Sequence, residues 1–182
     1  MKRIQQSVSH EVLFQLYEKL QGQIRSRLLE FRNVPPQHYI YELFYCLLTP
    51  QSRAQHAAVV VQKLKESDFA HRPFDPTDIL RDSTHYIRFH KTKSQNLLAA
   101  QAQQQSILCA IDEIQSPLEL RQFLVKTVRG FGYKEATHFL RNIGRNGNCA
   151  ILDRHILRLL HNFKVIHTIP PSLPPSLYEE IE

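Results

Sequence analysis

The sequence predicts an all-α fold. Apolar residues recur at helical spacing in almost every segment, no stretch alternates as a strand would, and no unit repeats along the chain. With 182 residues, 42% of them hydrophobic, the chain can bury one sizeable core or two small lobes that share a cleft.

The elements follow in order. Ser7 or Ser9 caps a long first helix with Val12, Leu13, Leu16, Leu20, Ile24 and Leu28 on one face. Pro35 and Pro36 precede a second, more apolar helix from Tyr39 to Leu48, whose aromatics Tyr39, Tyr41, Phe44 and Tyr45 belong in the core. Thr49-Pro50 stops it, and Ser52-Arg53-Ala54-Gln55 has the pattern of a capping box opening a third helix through Leu64. Residues 67–78, with Pro73 and Pro76, form a loop and the best hinge candidate. A short helix over Thr77 to Arg81 and a long one over Lys93 to Ile114 come next, the latter with a polar face at Gln101 to Gln105. Ser116-Pro117-Leu118-Glu119 supplies an N-cap, a proline at the first helical position and the capping-box glutamate for the helix after it. Gly144 to Asn148 is a turn-rich break; Asp153 to Phe163 is the last clear helix, and a further one begins at Ser176.

Gly130-Phe131-Gly132-Tyr133-Lys134 is the most informative stretch. It joins two amphipathic runs, Leu120 to Arg129 and Glu135 to Ile143, as a helix-hairpin-helix. Glycines let the backbone turn tightly and approach another surface, so Gly130 and Gly132 leave N–H groups free to hold a nucleic-acid phosphate. Lys134 places a cation in the first turn of a helix, the wrong sign for the macrodipole. A local rule broken this way marks function, and the same field favours the nucleophilic amine.

The net charge is +6, and its placement says more than its size. Residues 121–164 hold nine Lys/Arg against Glu135 and Asp153, a net +7, so the rest of the chain sums to −1. That is the footprint of a phosphate-backbone binder, or else the solvated face of a basic protein. No apolar run approaches the roughly 18–20 residues of a membrane span. The opening Met1-Lys2-Arg3-Ile4-Gln5-Gln6 lacks a signal peptide's apolar centre, which points to a cytoplasmic, nucleoid-associated protein. Cys46, Cys109 and Cys149 are odd in number and far apart, supporting neither a disulfide framework nor a zinc or iron–sulfur site. Ten histidines include no His-Glu-x-x-His cluster. His138 and His155 read as surface or phosphate-contacting residues.

Lys134 and Asp153 carry the candidate chemistry. Asp153 directly precedes an apolar-periodic run and suits an N-cap. Lys134 suits a surface phosphate contact as well as a nucleophile, and spacing alone leaves both roles open. Phe131 and Tyr133 could touch DNA or staple the hairpin helices together.

The run from Gly130 through Lys134 to Gly144, followed by Ala150-Ile151-Leu152-Asp153-Arg154-His155-Ile156-Leu157, resembles the helix-hairpin-helix–Gly/Pro–Asp superfamily of DNA glycosylases. Within it the chain is similar to the archaeal-type (type 2) 8-oxoguanine DNA glycosylase/AP lyases. Leu47-Leu48-Thr49-Pro50-Gln51-Ser52 and Tyr86-Ile87-Arg88-Phe89-His90-Lys91-Thr92-Lys93 share that likeness, which covers about residues 40–180. The resemblance implies a bifunctional base-excision enzyme. Lys134 would attack C1′ of the damaged nucleotide and form a Schiff base, Asp153 would assist, and β-elimination would cut the strand. The damaged base must first leave the stack. Gln51 would enter the duplex near the flipped nucleotide, the backbone of Gly130 and Gly132 would hold a phosphate, and Tyr133, Arg129 and Arg154 would join the DNA contacts. No cofactor is expected beyond a structural monovalent cation at the hairpin. The partner is duplex DNA with oxidised guanine or abasic sites, met by a monomer.

Two departures from relatives stand out. The four-cysteine cluster of endonuclease III-type relatives is absent. The type 2 family also continues past Tyr178-Glu179-Glu180-Ile181-Glu182 into a terminal helix and lysine that contribute to guanine recognition, so the chain reads as shortened. The expected architecture is two helical lobes: residues 34–143 with the hairpin at 130–134, and residues 1–33 plus 144–182, with Lys134 facing Asp153 across the cleft. The rival readings are a non-catalytic helix-hairpin-helix module that only grips DNA, and an enzyme for an oxidised pyrimidine or an abasic site.

Overall fold

The computed structural model describes residues 9–182, and every regular element among them is helical. The helices are α1 (His10–Arg32), α2 (Tyr39–Leu48), α3 (Ala54–Glu66), α4 (Thr77–Arg81), α5 (His90–Ala102), α6 (Gln104–Glu113), α7 (Pro117–Thr127), α8 (Tyr133–Asn142), α9 (Arg154–Asn162) and α10 (Pro175–Ile181). Ser9 Oγ accepts the Val12 N–H and caps α1; Ser7 lies outside the described residues.

α2 is the axis of the core. Leu43, Phe44, Cys46 and Leu48 have no solvent exposure, and α3, α5, α6 and α8 pack around them. Each such side chain contributes about 1.5–3 kcal/mol of burial before chain entropy is set against it. Of the four α2 aromatics, Phe44 is fully buried while Tyr39, Tyr41 and Tyr45 lie at the core's edge, where their hydroxyls keep a route to water. A second, smaller cluster joins Leu152, Leu157 and Tyr178 beneath α9 and α10.

The apolar stripe of α1 is exposed: Phe14 is 61% and Leu29 58% accessible, and among α1 residues only Phe31 is buried. Helical spacing marks a face that could be buried, but the contacts of α1 fall at its two ends, where His10 lies 4.3 Å from the Phe163 ring and Arg141 sits 4.4 Å above the Phe31 ring. Phe69, packed edge-on between Phe44 and Phe74, anchors the start of the 67–78 loop to the core. The long helix over 93–114 starts earlier and breaks at Gln103, splitting into α5 and α6 without a glycine or proline to announce it. Gln101 turns inward there and donates to the Ala70 carbonyl at 2.9 Å. Ser52 does not cap α3; Arg53 takes the N-cap position without a side-chain bond, and the Ser52 hydroxyl is used elsewhere.

Candidate active site

The hairpin is built by local rules. Ser116 Oγ accepts the Glu119 N–H to start α7, and α7 runs into a turn closed by the Phe131 N–H on the Val128 carbonyl at 3.1 Å. Gly130 has φ +96°, and a Cβ there would fall 2.4 Å from Asn96 Nδ2, so the position needs glycine twice over. Gly132 is the N-cap of α8, with its N–H donated to Glu135 Oε2 at 3.3 Å. Phe131 is buried against Phe139, which leaves Arg129 and Gly130 as the exposed apex.

Lys134 stands in the first turn of α8 with its side chain 32% accessible. Its Nζ lies 3.4 Å from Glu135 Oε1, so one carboxylate serves both the helix start and the amine. Lys134 thus stands beside a carboxylate at the edge of an open groove. The α9 side gives the reason. Asp153 Oδ1 accepts the N–H groups of His155 at 2.8 Å and Ile156 at 2.9 Å, so this carboxylate caps its own helix and leaves the amine to Glu135.

Lys134 and Asp153 nevertheless line the same space. One groove of about 470 Å³ is walled by both residues with His138, Arg141 and Ile156. A second, of about 450 Å³, is walled by both with Gln51, Arg154 and Leu173. Capping occupies only Oδ1, so Oδ2 remains to face a cation in the groove. His138 lies one turn beyond Lys134. Burial first, and then the charges of Arg141 and Lys134, push its imidazole down to about 4, against a smaller opposing pull from Asp153. At neutral pH it adds no third cation to the groove.

The remaining predicted residues divide. Gln51 is exposed on the groove rim with left-handed φ +54°. Arg129 is exposed, its guanidinium 3.5 Å from Gln95 Oε1. Arg154 instead turns onto the Pro170 and Pro171 carbonyls and braces the proline segment. Tyr133 faces inward: Arg121 sits 4.6 Å over its ring and its hydroxyl donates to Glu179 at 3.0 Å. His155 is exposed, and only its backbone N–H reaches Asp153.

Sequence reasoning missed the group that aims Asp153. Arg121, fully buried, donates to Glu182 at 2.7 Å, and the same Glu182 oxygen accepts the Ala150 N–H at 2.6 Å. Tyr178 accepts the Leu152 N–H at 2.9 Å and donates to the Ala150 carbonyl at 2.7 Å. The run into Asp153 is thereby clamped to α10 and α7. The i, i+4 placement of Tyr178 and Glu182 was visible; their long-range partners were not.

Residues 24–182 match the family described as 8-oxoguanine DNA glycosylase (Ogg-HhH). An 8-oxoguanine DNA glycosylase/AP lyase of Fusobacterium nucleatum is 35% identical over 176 residues, covering 92% of this chain and 80% of that protein. One from Methanocaldococcus jannaschii is 33% identical, covering 84% of this chain and 72% of the relative. Among solved structures, the Thermotoga maritima 8-oxoguanine DNA glycosylase superposes with a TM-score of 0.82 at 26% identity, covering 94% of this chain and 82% of that one. The M. jannaschii enzyme in complex with a 15mer DNA containing 8-oxoguanine gives 0.79 at 28% identity, covering 93% and 84%.

Proposed function

The chain belongs to the helix-hairpin-helix family of 8-oxoguanine DNA glycosylases, and from that membership we propose how its own residues divide the work. It is a DNA N-glycosylase and AP lyase that acts on 8-oxoguanine in DNA. Lys134 is the nucleophile: its neutral amine attacks C1′, the bond from C1′ to the base nitrogen breaks, and the base departs with the electron pair. An amine, unlike water, can then form a double bond to carbon: the C1′–O4′ bond breaks and O4′ takes a proton. From the resulting iminium at C1′, loss of the 2′ proton breaks the C3′–O bond and expels the 3′ phosphate. Asp153 Oδ2 takes the proton that the nitrogen sheds once it is bonded to C1′ and stabilises positive charge at C1′. The observation that carries this assignment is the shared groove of Lys134 and Asp153. A module that only gripped DNA would have no use for that pairing.

The hairpin apex supplies the grip, with the Gly130 N–H and the Arg129 side chain on phosphate, while the Gly132 N–H, expected to join them, is spent on Glu135. Gln51 enters the duplex from the groove rim. The extruded base enters the adjoining pocket of about 400 Å³, which shares His138 and Arg141 with the groove. The chemistry needs no cofactor, because amine, carboxylate and water balance every bond. The Val128 carbonyl already closes the turn on Phe131, so a monovalent cation at the hairpin would brace it and no more. A monomer suffices on intracellular DNA, and abasic sites are substrates for the second step.

Incubation with duplexes carrying 8-oxoguanine, an oxidised pyrimidine or an abasic site tests this reading. Wild-type protein nicks the first and third, and Lys134→Gln binds both without nicking. Cleavage that persists in the variant contradicts the assignment.

A further inference from the structure

Lys93 is 6% exposed in α5, and among the described residues its ammonium bonds to neutral oxygens with no carboxylate beside it. Its Nζ has three N–H donors and three acceptors: the Leu48 carbonyl at 2.7 Å, the Pro50 carbonyl at 2.7 Å and Ser52 Oγ at 3.1 Å. Leu48 is the last residue of α2, so the ammonium also meets the negative end of that helix's dipole. The Ser52 hydroxyl accepts the Arg88 N–H at 3.0 Å as well, tying the turn to the segment before α5. Between these acceptors stands Gln51, held at φ +54° on the groove rim. Burial pushes the Lys93 ammonium down to about 8. A charge buried without a counter-charge is costly, and an apolar side chain would fill the same space more cheaply.

The rest of α5 strengthens the point. Asn96, one turn on, lies against Gly130, where a Cβ would come within 2.4 Å of its amide. One helix therefore touches both the turn that presents Gln51 and the hairpin that grips phosphate. We propose that Lys93 is a positioning residue for base extrusion: its buried ammonium locks the Thr49–Ser52 turn so that Gln51 enters the duplex in register with the hairpin. The proposal rests on the repair-enzyme reading above and adds a residue that never touches DNA.

The prediction is a split between two substrates. Lys93→Met removes the three bonds and keeps the volume. It slows 8-oxoguanine excision, which needs forced extrusion, on the order of 10- to 100-fold. Cleavage of a preformed abasic site, which has no base to extrude, falls by no more than about threefold. A 2-aminopurine beside the lesion loses its fast unstacking phase, Lys93→Arg restores part of the excision rate, and adding Gln51→Ala to Lys93→Met slows excision no further. Should Lys93→Met fold poorly, Ser52→Ala, which removes one bond, shows the same split in smaller measure. Equal losses on both substrates, unchanged excision, or additive slowing in the double variant would each overturn the proposal. Failure of the repair-enzyme reading shows separately, as a wild-type chain that cleaves neither duplex, and overturns both.

Discussion

Acidification tests the electrostatics of the groove through His138. Its imidazole is held near 4 in the folded chain, against 6.5 for an ordinary histidine. The unfolded chain therefore binds a proton that the folded chain refuses as pH falls through that interval. The stability that neutral His138 contributes is complete above about 6.5, drains away on acidification and is gone by about 4. At about 1.4 kcal/mol per pH unit, the loss approaches 3 kcal/mol before water at the groove mouth trims it. Urea unfolding of wild type and His138→Asn, from about pH 7 to about pH 4, isolates this contribution because other acid-sensitive groups are common to both. The variant starts less stable through lost packing against Tyr45, and the gap narrows or reverses toward acid pH. Two curves that stay parallel would refute the claim that burial and the neighbouring cations keep this imidazole neutral.

Gly130→Ala forces a left-handed φ and a clash with Asn96, so melting should show a loss of about 1–3 kcal/mol with weakened duplex binding. Tyr178→Phe strands the Leu152 N–H, costing about 1–3 kcal/mol by urea titration. It also loosens the run into Asp153, so single-turnover excision slows while DNA affinity holds. Phe14→Ser, on the exposed α1 face, moves the melting free energy by less than about 0.5 kcal/mol. A larger change would mean that this face is covered in solution.

The legible parts of the molecule are those settled by neighbours in sequence. The caps at Ser9, Ser116 and Asp153, the α2 boundaries and the two-glycine turn all follow from short-range rules, and each forms where those rules put it. Lys134 was conspicuous because it breaks such a rule. What sequence could not supply depends on which elements meet. Ser52 fits a capping box locally, yet its hydroxyl gains more from Lys93 and Arg88, each more than thirty residues away. Arg121 counted as one more surface cation until Glu182, Tyr133 and Tyr178 enclosed it. The α1 stripe was a sound helix signal and a poor burial signal, since periodicity says which face could be covered and not whether a neighbour covers it.

The account depends on a carbon–nitrogen bond between Lys134 and the sugar of the damaged nucleotide. Borohydride added during reaction with an 8-oxoguanine duplex reduces that imine to a permanent crosslink, and peptide mapping by mass spectrometry locates it. The account predicts one crosslinked peptide carrying DNA at Lys134, with no crosslink from Lys134→Gln. A crosslink at another amine, or one that survives in the variant, would contradict it.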